Sequence, residues 1–298
     1  MIDVSFIILT KDEEIHIERC IRSLEGMASE IFVVDSGSTD RTCALAESLG
    51  AKVFANPWPG AHSLQFNWAL DNLPIKTKWV FKLDADEYLT EALCSELNSK
   101  VSDLAEGCDG IVFPLRRVFM GRHIRHSTGT VRLLRMFRYG KGRCEARRMD
   151  EHIQLSEGHS VDFEAEFADD NLRDIGWWTC KHEGYAMREA VDLLDIEFGL
   201  SERNTAAGMM SEEAAAKRML KERYARQPLF LRAFLYFIYR YCFKLGFLDG
   251  VEGFLWNFLQ GWWYRTLVDA KIYEIKKVCG NDRGKIKDYL SARHSISI

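Results

Sequence analysis

The sequence predicts an α/β fold, a mostly parallel sheet flanked by helices, with a helical C-terminal appendage. Three observations carry that reading. Short apolar, β-branched runs alternate with helix-period segments through the first third of the chain, the pattern of repeated βαβ units. Several of those runs end on a hydroxyl or carboxylate: Thr10, Asp35 and the pair Asp84 and Asp86. From Pro228 the composition shifts to aromatic and aliphatic residues at helical spacing.

Taken in order, Val4-Ser5-Phe6-Ile7-Ile8-Leu9 is almost wholly apolar, as a strand buried on both faces requires. A helix follows, with Ile15, Ile17, Cys20, Ile21 and Leu24 as its apolar face. Glu30 to Asp35 is the second strand. Ser36-Gly37-Ser38-Thr39-Asp40 turns and caps a helix from Arg41 to Leu49. Ala51 to Phe54 is a third strand, Ser63 to Leu73 a helix, and Trp79 to Leu83 a fourth strand that ends at Asp84-Ala85-Asp86. In open parallel sheets ligands bind beyond the carboxyl ends of the strands, where these polar residues fall.

Charge and composition exclude several classes. The 40 Lys and Arg against 44 Asp and Glu leave a net charge of −4, without the basic footprint of a nucleic-acid binder. The eight cysteines are scattered, with no CxxC pair, which fits a reducing compartment and argues against a zinc ribbon. No secretory signal and no long uninterrupted apolar stretch is evident, so the expected location is cytoplasmic. No GxGxxG or P-loop follows a strand, which removes dinucleotide oxidoreductases and P-loop NTPases.

Asp84-Ala85-Asp86 places two carboxylates on one side of an extended segment. Their repulsion is relieved by a divalent cation, and Mg²⁺ or Mn²⁺ characteristically shares its oxygen ligands with substrate phosphates. Ile7-Ile8-Leu9-Thr10-Lys11-Asp12-Glu13, Val33-Val34-Asp35-Ser36-Gly37-Ser38-Thr39-Asp40-Arg41-Thr42 and Leu83-Asp84-Ala85-Asp86-Glu87 together resemble family 2 glycosyltransferases of the GT-A, Rossmann-like fold. Among these the chain is most similar to bacterial enzymes of lipopolysaccharide core, capsule or exopolysaccharide assembly. The resemblance implies a nucleotide-sugar pocket lined by Thr10, Glu13, Gln65 and Asn67, with Asp35 on the base (most often uracil), Asp84 near the ribose and diphosphate, and Asp86 on the metal. Where many relatives have a basic residue before an Asn, this chain reads Gln65-Phe66-Asn67, so a cationic diphosphate contact is either absent there or supplied by Lys82 or a later arginine.

An inverting displacement needs a carboxylate to deprotonate the acceptor. Arg148-Met149-Asp150-Glu151-His152-Ile153 resembles the segment that supplies it, with Glu151 favoured over Asp150 and a surface charge cluster as the plain alternative. In Trp177-Trp178-Thr179-Cys180-Lys181-His182, Trp178, Lys181 and His182 are candidates for acceptor or diphosphate contact, against a packed-core reading. Arg116, Arg117, Arg122, His123, Arg125, His126, Arg132 and Arg135 are either an anion-facing patch or the outward face of an alternating strand.

Residues 1–200 are thus expected to form the catalytic domain, and 201–298 a helical, membrane-associating region. Ser211 to Arg226 reads as an amphipathic helix, and Leu229 to Tyr264 as an interfacial hairpin whose Arg232, Arg240 and Lys244 meet anionic lipid. A helical cap or dimer contact is the rival, and residues from Lys276 read as a solvated tail. The expected function is inverting sugar transfer from a nucleoside-diphosphate donor, UDP foremost, to a lipid-linked or cell-surface glycan, peripheral at the inner face of the cytoplasmic membrane and without nucleic acid. The alternatives are transfer to a polyprenyl phosphate, or a non-catalytic nucleotide-sugar-binding scaffold.

Overall fold

The computed structural model describes residues 2–127, 129–145, 152–201, 223–294 and 296. They pack as two compact units, Met1–Leu172 and Arg173–Ile298.

In the first unit β1 (Val4–Thr10) lies between β2 (Glu30–Asp35) and β4 (Trp79–Asp84), with β3 (Lys52–Ala55) outside β2, all parallel. The connecting helices α1 (Ile17–Arg22), α2 (Thr42–Ser48) and α3 (His62–Asn72) fall where the hydrophobic period placed them. Every residue of β1 is buried, and its period of two feeds two cores. Phe6 and Ile8 join Val33, Phe81 and Leu83 beneath Ile17, Cys20 and Ile21 of α1. Ile7 and Leu9 join Phe32, Val34 and Val80 against Phe66, Ala69 and Leu70 of α3. Truncating a fully buried aromatic such as Phe6 to Ala in a core of this kind costs about 3–5 kcal/mol. Ile15 departs from the expected apolar face. It precedes the helix, which begins at Ile17, and is 44% exposed.

Beyond β4 the sheet becomes mixed. After β5 (Glu87–Leu89) and α4 (Glu91–Lys100) come the long β6 (Cys108–Phe119), β7 (Arg122–His123), β8 (Val131–Arg138), β9 (Gly142–Cys144), β10 (Ile153–Leu155), β11 (His159–Asp162) and β12 (Phe167–Asp170). The ten-stranded sheet runs β3-β2-β1-β4-β8-β6-β12-β5, with β7 and β11 also on β6, while β9 and β10 pair separately. The strand β8 is antiparallel to both β4 and β6. It therefore delivers Arg135 beside the end of β4. The arginine-rich stretch is largely paired within this sheet: Arg116 with Glu166 at 2.9 Å, Arg117 with Asp169 at 3.4 Å, and Arg132 with Asp162 at 2.9 Å.

The second unit begins earlier than the composition boundary at 200, because α5 (Ile175–Phe198) shares its core. Ala186, Ala190, Leu193 and Leu194 pack with Val268, Ile272 and Ile275 of α8 (Tyr264–Cys279) and with Ile286 and Leu290 of α9 (Arg283–His294). The tail expected from Lys276 is thus helical and partly buried. The i, i+4 pair Ile286 and Leu290 gives it an apolar face that α8 covers. Between α5 and α8 lie α6 (Leu231–Ile238), α7 (Gly250–Trp256) and π-helical turns at Tyr239–Phe243 and Asn257–Trp263. Arg232 and Arg240, expected to face lipid, are buried at 5% and 4% exposure, leaving Lys244 exposed. Arg232 Nε donates to Asp269 Oδ1 at 2.8 Å, and the Phe230 amide donates to the other oxygen at 2.7 Å. A charge this deeply buried is stable only with such a partner. Most of the expected helix from Ser211 to Arg226 lies outside the described residues. None of the described helices is long and apolar enough to cross a membrane.

Candidate functional site

The registers that pair β1 with its neighbours place Thr10 opposite Asp35 and Leu9 opposite Asp84. Three polar strand ends therefore meet at one edge of the sheet. Thr10 Oγ1 donates to Asp35 Oδ1 at 3.0 Å. The other oxygen of Asp35 accepts the amides of Gly37 at 2.8 Å and Ser38 at 2.7 Å, and Ser38 Oγ donates to Oδ1. Burial pushes the Asp35 carboxyl up, but the Ser38 hydroxyl and these amides outweigh it and hold it below the ordinary range. Gly37 at φ 90° makes the tight turn that brings its own amide onto the carboxylate.

The loops after β1 and β2 are laced together. Asp12 Oδ1 accepts the Thr39 amide at 2.7 Å, Asp40 Oδ2 accepts the Glu14 amide at 3.1 Å, and Asp40 Oδ1 accepts the Thr42 amide at 3.0 Å. Asp40 thus serves the first turn of α2, as its place in the sequence suggested. Glu13 Oε2 accepts from Nδ1 of the fully buried His16 at 2.6 Å, while His16 Nε2 accepts the Leu172 amide at 2.9 Å. These two bonds fix the tautomer, with the proton on Nδ1.

Asp84-Ala85-Asp86 forms a tight turn rather than an extended segment, because Glu87 Oε2 accepts the Asp84 amide at 2.9 Å. Ala85 is buried and both aspartates are partly exposed. Lys82 Nζ lies 2.9 Å from Asp84 Oδ1, and Arg135 Nη2 bridges Glu87 Oε1 at 2.5 Å and Asp84 Oδ2 at 3.4 Å. Burial raises Asp84, but Lys82 and Arg135 prevail and hold it far below the usual carboxylate range. Glu87 is 5% exposed at its side chain, and burial lifts it well above that range against the pull of Arg135, with Asp84 adding to the rise. Asp86 is supported differently. Asn171 Nδ2 donates to its Oδ2 at 2.9 Å, and the Asp170 amide donates to its carbonyl at 3.1 Å. Asp169 sits above the ordinary range because of burial, eased by Arg117 and reinforced by Asp86 and Asp84.

Gln65 and Asn67 have their polar groups engaged within the protein. Gln65 Nε2 donates to Asn56 O and Ser36 Oγ, and its Oε1 accepts from Asn56. Asn67 makes a two-way pair with the backbone of Cys144, donating at 2.9 Å and accepting at 3.0 Å. Asp150 and Glu151 lie outside the described residues. Trp178, Lys181 and His182 belong to the second unit, on α5. His182 Nδ1 donates to the Trp178 carbonyl at 2.8 Å, Gln260 Nε2 donates to His182 Nε2 at 2.7 Å, and Trp178 stacks on the imidazole at 3.5 Å. Lys181 lies over the Trp177 ring at 4.6 Å.

Sequence reasoning did not single out Glu87, Asn171, Arg19 or His16 for roles. Glu87 was visible as the carboxylate immediately after the paired aspartates, whereas the link from Asn171 to Asp86 spans 85 residues and has no local signal. Among the described residues no three His, Cys, Asp or Glu side chains form a metal cage. The donor set instead suits an ion held by one or two carboxylates and completed by a bound phosphate, the usual arrangement for Mg²⁺ and Mn²⁺.

Residues 5–154, about half of the chain, match the family model "Glycosyl transferase family 2". The chain belongs to that family. It is 45% identical over 94 residues to an uncharacterized glycosyltransferase of Rickettsia bellii, covering 32% of this chain and 31% of that one. It is 34% identical over 148 residues to the lipopolysaccharide core biosynthesis glycosyltransferase LpsC of Rhizobium meliloti, covering 48% and 53%. The chain spans about a third of the length of the Rickettsia relatives it matches. A solved structure of glucosyl-3-phosphoglycerate synthase from Mycobacterium tuberculosis, in complex with Mn²⁺, UDP and glucosyl-3-phosphoglycerate, is 22% identical with a TM-score of 0.31, over 40% of this chain and 44% of that one.

Proposed function

We propose that this chain transfers a sugar from a nucleoside-diphosphate donor, UDP foremost, to a lipid-linked or cell-surface glycan with inversion at the anomeric carbon. The observation that supports it best is the convergence of Asp35, Asp84 and Asp86 at the carboxyl ends of β2 and β4, on either side of β1. Asp35, held ionised by Thr10, Ser38 and the Gly37 amide, would accept a hydrogen bond from the base in exchange for that of the Thr10 or Ser38 hydroxyl. Asp84, with Lys82 and Arg135 behind it, borders the ribose and diphosphate, and the two cations offset the negative charge gathered there. Asp86, with Asp84 beside it, would hold a divalent cation, which when bound supplies charge neutralisation for the diphosphate leaving group. Glu151, or Asp150 in its place, takes the proton of the acceptor hydroxyl. The freed oxygen forms a bond to C1 as the bond from C1 to the diphosphate breaks, and the nucleoside diphosphate departs.

The helical region is proposed to rest on a membrane surface. Phe243, Phe247, Leu248, Val251 and Phe254 are 74%, 47%, 51%, 69% and 42% exposed around the turn between α6 and α7, large apolar side chains of the kind that enter a membrane interface. With Arg232 and Arg240 buried, attachment would depend on apolar insertion and resist salt.

Nucleotide binding tests the donor site. UDP, GDP, CMP and ADP are each titrated with Mn²⁺ and with EDTA, following the melting temperature. A ligand at a hundred times its Kd adds about 2.7 kcal/mol. UDP with Mn²⁺ raises the transition and Asp86→Ala abolishes the Mn²⁺-dependent part; no response to any nucleotide from folded protein overturns the assignment. For turnover, Glu151→Gln lowers kcat by about 10²–10⁴ if it is the base. Full activity in both Glu151→Gln and Asp150→Asn points to an acceptor that is already an anion, a polyprenyl phosphate. For the membrane, Phe243→Ser with Leu248→Ser abolishes co-sedimentation with anionic vesicles, and equal sedimentation of the variant refutes the insertion.

A further inference from the structure

Asp86 and Asp84 are neighbours in one turn, yet their carboxylates are supported by opposite chemistry. Asp84 has two cations, Lys82 at 2.9 Å and Arg135 at 3.4 Å, whereas Asp86 accepts from a neutral amide, Asn171 Nδ2 at 2.9 Å from Oδ2. Asn171 follows directly on β12, and its segment is tied down on both sides. Arg19 Nη1 donates to Asp170 Oδ2 at 2.5 Å and Arg19 Nη2 to the Asp86 carbonyl at 3.3 Å, the Asp170 amide reaches that same carbonyl, and the Leu172 amide donates to His16 Nε2. The strand β12 is itself held between β5 and β6. The amide of Asn171 is therefore delivered to Asp86 by a braced segment, not by a free loop.

From this we infer that Asn171 is the positioning residue for Asp86: its amide occupies Oδ2 and turns Oδ1 toward a divalent cation without cancelling the charge that attracts it. The inference rests on the reading of Asp86 as the metal-holding residue. A neutral donor orients a ligating carboxylate while leaving its charge intact, and loss of such an outer partner characteristically weakens metal binding by about 10- to 100-fold. A cation in its place would compete with the metal for the carboxylate. A carboxylate in its place would do the reverse, repelling Asp86 in the free protein and recruiting the ion more strongly.

The two substitutions thus move metal binding in opposite directions, which a purely structural asparagine would not do. Mn²⁺ is titrated calorimetrically into wild type, Asn171→Ala and Asn171→Asp at saturating UDP, and melting temperatures are taken with EDTA and with Mn²⁺. Asn171→Ala is expected to bind Mn²⁺ about 10- to 100-fold more weakly while its affinity for UDP in EDTA stays at the wild-type level. Asn171→Asp is expected to melt below wild type in EDTA and to regain more than wild type does when Mn²⁺ is added. Wild-type Mn²⁺ affinity in Asn171→Ala, or a deficit in Asn171→Asp that Mn²⁺ leaves unchanged, overturns the inference. If wild type itself shows no Mn²⁺-dependent binding of UDP, it is the reading of Asp86 that fails. Should Asn171→Asp not fold, Asn171→Ala together with Asn171→Ser, which retains a short donor, decides the matter by Mn²⁺ affinity alone.

Discussion

Replacing Arg135 by methionine isolates the buried support of the paired aspartates. Its guanidinium is 10% exposed and lies 2.5 Å from Glu87, which is 5% exposed, so solvent screens this pair little. The second partner, Asp84, is 39% exposed at 3.4 Å and adds at most a few tenths to one kcal/mol by analogy with surface pairs, about 0.2–1. Removing one member of a buried pair typically costs about 3–5 kcal/mol, because the other charge stays behind. Here the low end, about 3 kcal/mol, is expected above about pH 8, where wild-type Glu87 is ionised; below that Glu87 already holds a proton and the loss is that of a hydrogen bond to a charged group, about 1.5–3 kcal/mol. For a unit of this size a loss of about 3 kcal/mol lowers Tm by about 6–12 °C. The sign of the pH dependence follows. Loss of Arg135 raises the folded-state value of Glu87 further above its unfolded value of about 4.3, so the two proteins lose stability in parallel until wild-type Glu87 ionises at about pH 8, and the variant falls further behind above that pH. The assay is a double-mutant cycle in urea at pH 6 and pH 9.5, with Arg135→Met, Glu87→Gln and the double variant. The double variant is expected to recover much of the loss, because no buried charge is left unpaired. Additive single effects at pH 9.5, or an Arg135→Met loss that is no larger at pH 9.5 than at pH 6, would refute the reasoning.

Three further outcomes follow from the same chemistry. Asp35→Asn flattens the acid limb of the stability profile: the depressed carboxyl of Asp35 contributes fully at neutral pH and its contribution fades as pH falls from about 3.9 through its folded-state value, which urea midpoints of both proteins at pH 2 to 6 will show. His182 titrates below the ordinary histidine range because burial, and secondarily Lys181, disfavour its charged form against the Trp178 carbonyl; wild type therefore loses stability on acidification through about pH 6.5, His182→Gln loses less, and the imidazole NMR shifts locate the transition. Gly253→Ala costs about 1–3 kcal/mol by overpacking, since a Cβ there would meet Asp249 Cβ at 2.5 Å and the Gly246 carbonyl at 2.6 Å, and thermal melts read the loss directly.

The first half of the fold was legible because its information is local. A buried parallel strand such as Val4–Thr10 must be apolar on both faces, and the intervening helices must carry a stripe such as Ile17, Cys20 and Ile21, so period and length suffice. The strand-end residues Thr10, Asp35, Asp84 and Asp86 were legible for the same reason: each stands where an apolar run stops. What stayed hidden depends on contacts distant in sequence. The antiparallel β8 enters beside β4 after a gap of more than 40 residues, and nothing local in Val131–Arg138 tells that Arg135 faces inward to Glu87 while Arg132 faces Asp162. Helical spacing among aromatics predicts that Arg232 and Arg240 face lipid. Spacing assigns a helix face but cannot tell whether a buried aspartate such as Asp269 waits on another helix to pair with it.

The three strand-end carboxylates show how one sheet edge supports three proposed roles with one chemical group. Asp35 is surrounded by hydroxyl and amide donors, which keep it ionised and directional without a countercharge; that suits recognition of a neutral base through a single hydrogen bond. Asp84 is paired to two fixed cations, so it adds little net charge of its own and tolerates a diphosphate as neighbour. Asp86 has neutral support from Asn171, and its charge stays available. Exchanging these environments would defeat both members of the pair. Asp86 backed by Lys82 would lose its pull on a cation, and Asp84 without its cations would repel the phosphates. The paired-aspartate motif therefore specifies little alone. The lysine two residues before it, the glutamate after it, and an arginine and an asparagine brought in by β8 and the end of β12 give its two carboxylates different surroundings, which is what the two proposed roles require.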